Sequence, residues 1–122
     1  MAKHIQTGRQ GELLAAAYLE QQGYELLHCN WRYGRAELDI VALEGRVLVI
    51  VEVKTRTSVQ YGPPELFVSA RKKRFMVEAA ASYMEQYGYD WELRFDIIAV
   101  VIPPGRAVEI RQYRDAFFPG WG

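Results

Sequence analysis

The stretch VIVEVKTR, residues 49–56, decides the fold of this chain. Its apolar residues prefer strands and occupy both faces, so the sequence predicts a strand that is buried on both sides. Side chains on a strand alternate between its two faces, so Glu52 and Lys54 point in the same direction. The chain therefore places an acid and a base side by side at the end of a buried strand.

The segments around this strand predict the element order αβββαββ. A first helix is predicted over residues 8–22, with Thr7 as its N-cap, Gln10 at capping-box spacing and Gly23 as its stop. The other predicted elements are strands at 24–33, 36–43, 46–55, 94–102 and 107–113, a loop at 57–68, a helix at 70–87 between Ser69 and Gly88, and an aromatic, glycine-rich tail at 114–122. This order predicts an α/β fold with a central mixed sheet flanked by helices.

Composition indicates an ordinary globular protein. Of 122 residues, 50% are hydrophobic and 25% are charged, which predicts a single domain over residues 1–122. No apolar run approaches the roughly 20 residues that cross a bilayer, and the N-terminus lacks the apolar segment of a secretory signal. A single cysteine, Cys29, fits a reducing compartment, so we expect a cytoplasmic protein without a membrane partner.

The charge balance argues both for and against a nucleic-acid partner. The chain has 15 basic and 15 acidic residues, and dedicated nucleic-acid binders are usually basic overall. The basic residues are nevertheless clustered, since Arg71, Lys72, Lys73 and Arg74 follow one another. Such a run is more often a solvated helix face, and contact with phosphates is the functional alternative.

The turn after the second strand allows a geometric prediction. If Glu44 and Gly45 form a two-residue hairpin loop, Glu37 lies opposite Glu52, and Asp39 lies diagonal to Glu52. Glu37, Asp39, Glu52 and Lys54 are then expected on one face of the sheet. A loop of odd length or a β-bulge would remove this common face.

Carboxylates that converge in this way need a partner. Like charges destabilise a sheet when they lie opposite each other, and buried carboxylates require a counter-ion or a metal. Oxygen ligands of this kind suit Mg²⁺ or Mn²⁺, and a nearby lysine can orient a water molecule or stabilise charge on a phosphoryl oxygen. For an isolated Glu-x-Lys pair, a structural ion pair is the more common explanation.

Glu12 is a further candidate, on the first helix. Ala15, Ala16 and Leu19 follow it at helical spacing, so Glu12 lies along the apolar stripe rather than on the solvated side. Favourable interaction with the helix dipole is the structural alternative. Elsewhere, Arg94 and Asp96 alternate on one strand and are expected to form a structural ion pair.

A series of motifs resembles a known family. The motifs occur in order along the chain: GRQGELLAAAYL at 8–19, NWR at 30–32, AELDIV at 36–41, VEVKTR at 51–56, GPPE at 62–65, KKR at 72–74 and RFDIIAV at 94–100. Together they resemble the YraN-type family of uncharacterised bacterial proteins. That family is similar to the restriction-endonuclease-like superfamily, which includes the archaeal Holliday-junction resolvases and carries the PD-(D/E)xK signature.

The resemblance implies site residues, a cofactor and partners. It places Glu12, Asp39 and Glu52 among metal-binding acids for Mg²⁺ or Mn²⁺, makes Lys54 the signature lysine and adds Glu37 as an auxiliary acid. Nucleic-acid contacts are expected from Arg32, Arg56, Arg71, Lys72, Lys73 and Arg74. The partner would be branched or damaged DNA, and a homodimer is expected by analogy with resolvases. One departure is Ala36, where the family usually has glycine.

Two functional hypotheses follow. In the first, the protein is a metal-dependent endodeoxyribonuclease of the PD-(D/E)xK type. In the second, it is a catalytically silent nucleic-acid-binding or scaffold module that retains the nuclease fold. A third, structural explanation is that these charges only stabilise the fold.

Overall fold

The computed structural model describes residues 2–57 and 68–117, and their side chains from residue 8 onward. Most of the predicted loop at 57–68, including its Gly-Pro-Pro segment, lies outside these residues. The elements follow the predicted order αβββαββ. They are α1 Ala2–Gln21, β1 Glu25–Tyr33, β2 Ala36–Glu44, β3 Val47–Arg56, α2 Ala70–Tyr87, β4 Glu92–Val101 and β5 Glu109–Phe117.

The five strands form one mixed sheet in the order β1-β2-β3-β4-β5. Among the described strands, β3 and β4 are parallel and the other neighbouring pairs are antiparallel. Helix α2 connects the parallel pair, which needs a long crossover connection. Helix α1 packs on one face of the sheet and α2 on the other. The predicted α/β, restriction-endonuclease-like fold is confirmed.

Strand β3 contributes to the core on both faces, as its sequence predicts. Leu48 and Ile50 join the cluster under α2, whereas Val49 and Val51 join the cluster under α1. All four side chains are fully buried. Because both faces are packed, the end of β3 is held in a fixed position, which also fixes the backbone that carries Glu52 and Lys54.

The helix ends confirm one prediction and correct another. Ser69 caps α2 by accepting a hydrogen bond from the backbone N–H of Lys72, and Gly88 ends the helix with φ of 74°. Thr7 is not an N-cap, because α1 begins at Ala2 and continues through it. No glycine or proline lies between residues 2 and 7, so the helix extends upstream. Neither helix of the described ranges is long and apolar enough to cross a membrane.

The hairpin between β2 and β3 differs from the predicted one by a single position. Glu44 pairs with Val47, so the two-residue loop is Gly45-Arg46 rather than Glu44-Gly45. Gly45 has φ of 59° at the first loop position, which a type II′ turn reserves for glycine. The whole β2–β3 register is therefore shifted relative to the prediction.

The last strand is longer than predicted. β5 extends to Phe117, so residues 114–117 belong to the sheet and not to a tail. Phe117 is buried and its ring stacks on that of Phe95, with 4.9 Å between centroids. This burial explains why the aromatic segment continues the strand. The remaining residues, 118–122, lie outside the described part of the chain.

Candidate functional site

The shifted register changes the neighbours of the acidic residues. The β2–β3 ladder runs regularly from Glu44↔Val47 to Ile40↔Val51, where it ends. Asp39, the residue before Ile40, lies within side-chain hydrogen-bond reach of Glu52, the residue after Val51. The prediction that Glu37 lies opposite Glu52 is wrong, because the loop lies one residue further along the chain. The true register brings Asp39 closer to Glu52 than predicted.

The alternation of β2 breaks at Asp39. Leu38 packs in the core under α2, whereas Ile40, two residues later, packs in the core under α1. Glu37 consequently joins the side of Glu12 on α1. Glu52 and Lys54 project together on the other side, as predicted. The prediction that Glu37 shares the face of Glu52 and Lys54 is therefore wrong. Its carboxylate nevertheless lies close to those of Glu12 and Asp39.

Three carboxylates come together at this break. Glu12 from α1 and Glu37 and Asp39 from β2 each contribute an oxygen, and these oxygens lie within 4.8 Å of one another. Glu52 is not one of the three, but its charge acts on both Glu12 and Asp39. The four acids named from the sequence thus form one electrostatic unit, which we call the carboxylate cluster.

The raised pKa of Asp39 shows that ionisation is unfavourable in the carboxylate cluster. Burial raises the pKa of Asp39 most, and the charges of Glu52 and Glu12 raise it further, to about 8. The backbone N–H of Val53 donates to Oδ2 at 2.9 Å and only partly opposes this shift. An ionised Asp39 is therefore unfavourable unless a positive charge enters the cluster.

The two carboxylate oxygens of Glu52 differ in their ion-pair and hydrogen-bond partners. Its Oε2 atom lies 2.7 Å from the Lys72 ammonium and 3.3 Å from the Lys54 ammonium. Its Oε1 atom is buried and receives no hydrogen bond within the described residues. Burial alone would lower the pKa of Lys72, but the hydrogen bond and charge of Glu52 outweigh it and raise that pKa. Two lysines therefore neutralise Oε2, while no N–H group of the described residues donates to Oε1; the Asp39 carboxyl also forms a side-chain hydrogen bond with Glu52, which raises the pKa of Asp39.

The donor set fits a divalent cation. An unpartnered buried carboxylate oxygen carries a desolvation cost that native proteins normally avoid. The Glu52 Oε1 atom has this property, and the oxygens of Glu12, Glu37 and Asp39 supply hard ligands nearby. Mg²⁺ and Mn²⁺ prefer such oxygen ligands. These residues are thus chemically suited to the cation that the sequence predicts.

Helix α1 approaches β3 closely, and this contact positions Glu12. Gly11 is buried, and a Cβ atom there would lie 1.9 Å from the Thr55 Oγ1 atom. Only glycine permits this approach. Burial raises the pKa of Glu12, while a hydrogen bond from Asn30 opposes that rise. Asn30 has φ of 56°, which turns its side chain out of the strand pattern.

The sequence predicted no role in the candidate site for Gly11, Thr55 or Asn30. Two signals were present. A glycine within a helix disfavours the helix unless a close contact requires it, and asparagine is rare within strands yet tolerates positive φ. The sequence alone does not show which neighbour demands these residues.

The four consecutive basic residues at positions 71–74 of α2 lie in different surroundings. Arg71 and Lys72 line a cavity between α2 and β2, next to the carboxylate cluster. Lys73 instead lies over the Phe117 ring, 5.3 Å from its centroid, and Arg74 is exposed. The predicted nucleic-acid contacts at positions 71–74 thus form two groups, of which only Arg71 and Lys72 adjoin the acids.

The two other predicted phosphate contacts lie near the ends of strands. Arg32 is exposed and its Nε atom lies 3.5 Å from Glu37. Arg56 ends β3, and its guanidinium donates to the carbonyl oxygen of Thr55 at 3.0 Å. The methyl group of Ala36 is buried in the core under α2, so it does not crowd the carboxylates.

A second buried aspartate provides a contrast with Asp39. Asp96 is fully buried on β4, and its two oxygens accept hydrogen bonds from the Arg94 guanidinium, each at 2.9 Å. The Gln112 amide and the backbone N–H of Asp115 also donate to it at 2.9 Å. The predicted structural ion pair is confirmed, and Asp96 has partners that Asp39 lacks.

The region that contains the motifs is similar to a known protein family. A profile of the uncharacterised protein family UPF0102 matches residues 11–100. The chain belongs to this family. The predicted membership of a YraN-type uncharacterised family is thereby confirmed, and the matched region contains the whole carboxylate cluster and Lys54.

Close relatives in the UPF0102 family cover nearly the whole chain. A UPF0102 protein from Porphyromonas gingivalis is 46% identical over 119 residues, covering 98% of this chain and 88% of the relative. One from Bacteroides thetaiotaomicron is 45% identical, covering 98% of both chains. One from Flavobacterium psychrophilum is 42% identical, covering 97% of this chain and 98% of the relative. Because the family is uncharacterised, its name assigns no reaction.

Proposed function

We propose that this UPF0102 protein is a divalent-metal-dependent nuclease that hydrolyses phosphodiester bonds in DNA. The observation that carries the proposal is the buried Oε1 atom of Glu52, which accepts no N–H hydrogen bond within the described residues, beside an Asp39 carboxyl whose pKa is raised. A purely structural network satisfies its carboxylates, as the network around Asp96 does. In the carboxylate cluster, by contrast, ionisation of the carboxyls is unfavourable until a cation binds, as is typical of a functional site.

The chain has residues for both the cation and the phosphate. Asp39 and the Oε1 atom of Glu52 would hold Mg²⁺ or Mn²⁺, with Glu12 and Glu37 contributing directly or through water. When bound, the cation supplies Lewis-acid polarisation of a phosphoryl oxygen. Arg32, Arg56, Lys73 and Arg74 would contact phosphates further along the strand.

Two lysines supply positive charge on the other side of Glu52. Lys54 is largely buried beside it, at 3.3 Å, so its ammonium can orient an attacking water or stabilise charge on the phosphate. Lys72 reaches the same oxygen from α2 with a side chain that is 43% exposed, so it can turn toward a phosphate in the adjoining cavity. The site thus combines acids for a cation with lysines for the scissile group.

The resemblance to resolvases supports the finer parts of the proposal. It favours a branched or damaged DNA substrate and a homodimer with two-fold symmetry. The single cysteine, Cys29, fits action in the reducing cytoplasm. The zero net charge favours the alternative of a catalytically silent module, because it provides little long-range attraction for DNA.

Cleavage of labelled DNA with Mn²⁺ tests the proposal. Single-stranded, flap, duplex and four-way-junction substrates would be incubated with the wild type, Glu52→Gln and Lys54→Met, and with the exposed-site control Glu78→Gln. We expect each site variant to lose about a hundredfold or more in rate, as removal of one transition-state contact typically does, and the control to keep its rate. Cleavage that survives both site substitutions contradicts the proposal, and binding without cleavage supports the silent module.

A further inference from the structure

A second recognition element adjoins the carboxylate cluster. A cavity of about 350 Å³ lies between α2 and the start of β2, and Glu37 and Asp39 line it together with Arg35, Arg71 and Phe75. Its volume is at the lower end of pockets that bind small ligands. It therefore suits a group the size of one nucleotide, directly beside the acids.

The chemistry of this cavity is aromatic and basic at once. Phe75 is 37% exposed next to the buried Met76, and the Arg71 guanidinium lies over its ring, 5.5 Å from the centroid. Tyr33, 45% exposed, pairs with Ala36, which also lines the cavity. Isolated exposed aromatic residues are common on protein surfaces. Here, however, Phe75, Arg35 and Arg71 line one cavity that shares Glu37 and Asp39 with the candidate site.

We propose that this cavity binds one unpaired nucleotide of DNA next to the scissile phosphate. The base would stack on Phe75, and the phosphate would contact Arg71 and Arg35. Aromatic rings that accept base faces, flanked by basic residues, are the usual means of binding single strands. The inference rests on the proposed nuclease function and specifies its substrate class.

The proposed subsite discriminates between forms of DNA. In a duplex, each base face is covered by its neighbours, so Phe75 has no face on which to stack until a base leaves the stack. Single strands, flaps and frayed ends present unpaired nucleotides without that step. A fully paired four-way junction does not, so we expect it to bind less tightly than a flap.

The subsite can be tested without any cleavage. Fluorescence anisotropy in EDTA would measure binding of a labelled single-stranded oligonucleotide and of a duplex with the same composition. Phe75→Ala would be compared with Tyr87→Ala, which removes an aromatic ring of similar exposure, 42%, from the other end of α2. Folding of both variants would be checked by thermal unfolding, and Phe75→Trp would preserve the stacking surface.

We expect Phe75→Ala to weaken single-strand binding by about tenfold, as loss of one stacking ring does. Tyr87→Ala and Phe75→Trp should retain the wild-type affinity, and duplex binding should be the same in all of them. Phe75-dependent single-strand binding without Mn²⁺-dependent cleavage supports the subsite and overturns the nuclease. Equal binding by wild type and Phe75→Ala, or no preference for single strands, overturns the subsite even if cleavage is observed.

Discussion

Replacement of Asp39 by asparagine should stabilise the metal-free protein. Asparagine has the same shape and its oxygen can still accept the hydrogen bond from the Val53 N–H. It removes a carboxyl that burial and neighbouring charges force to remain protonated up to about pH 8. A residue that contributes only to the fold would give the opposite result, because most buried substitutions destabilise.

The size of the effect follows from proton linkage. The Asp39 carboxyl has a pKa of about 8 in the folded protein and 3.8 in the unfolded chain. At neutral pH the unfolded chain ionises freely, while the folded protein must hold the proton. Each pH unit between these values costs about 1.4 kcal/mol of stability, so the penalty approaches about 4 kcal/mol at pH 7. Because the folded pKa exceeds the unfolded one, protonated Asp39 makes its full contribution to the free energy of unfolding below pH 3.8. This contribution falls as the pH rises and is lost by about pH 8.

Chemical denaturation in EDTA at pH 4, 6 and 8 would measure this effect. We expect Asp39→Asn and wild type to differ little at pH 4 and to diverge by about 4 kcal/mol or more in favour of the variant at pH 8. The matched control is Asp96→Asn, since Asp96 is also buried but both of its oxygens accept hydrogen bonds from N–H donors. That variant should lose about 3–5 kcal/mol, as disruption of a buried ion pair does. A destabilised Asp39→Asn at pH 8, or a gap that shrinks with rising pH, would refute the reasoning.

Two further predictions concern the residues around the cluster. Gly11→Ala should destabilise the protein by about 1–2 kcal/mol, because the clash with Thr55 outweighs the better helix propensity of alanine. The control Gly8→Ala, which has no atom within 4 Å of the new Cβ, should stabilise the protein. Thermal unfolding of both variants would measure these effects. Lys72→Met should lower the stability of the metal-free protein by about 1–2 kcal/mol, a value reduced for solvent screening, while Lys73→Met changes it by less than about 0.5 kcal/mol. Equal effects of Lys72→Met and Lys73→Met in urea denaturation would show that the contact with Glu52 contributes nothing.

The sequence predicted those parts of the fold and site that depend on neighbours along the chain. The two-sided burial of residues 49–51 and the common direction of Glu52 and Lys54 follow from strand alternation alone. The caps of α2 at Ser69 and Gly88 follow from local hydrogen bonding and backbone preference. These features need no knowledge of distant segments.

The errors have physical causes that the sequence does not display. The β2–β3 hairpin was misplaced by one residue, because Gly45 takes the first loop position of its turn and not the second. The break at Asp39 depends on which core Leu38 and Ile40 join, which is decided by packing. Lys72 reaches Glu52 through the docking of α2, so its role required the tertiary structure.

Titration with Mn²⁺, followed by electron paramagnetic resonance of the unbound ion, tests the central claim most directly. We predict that the wild type binds Mn²⁺ and that Glu52→Gln weakens binding by about tenfold or more, because it removes the charge of a direct ligand. The exposed-site variant Glu78→Gln should bind like wild type. If the wild type binds no Mn²⁺, or if Glu52→Gln binds it equally well, the carboxylate cluster is not a metal site and the account is contradicted.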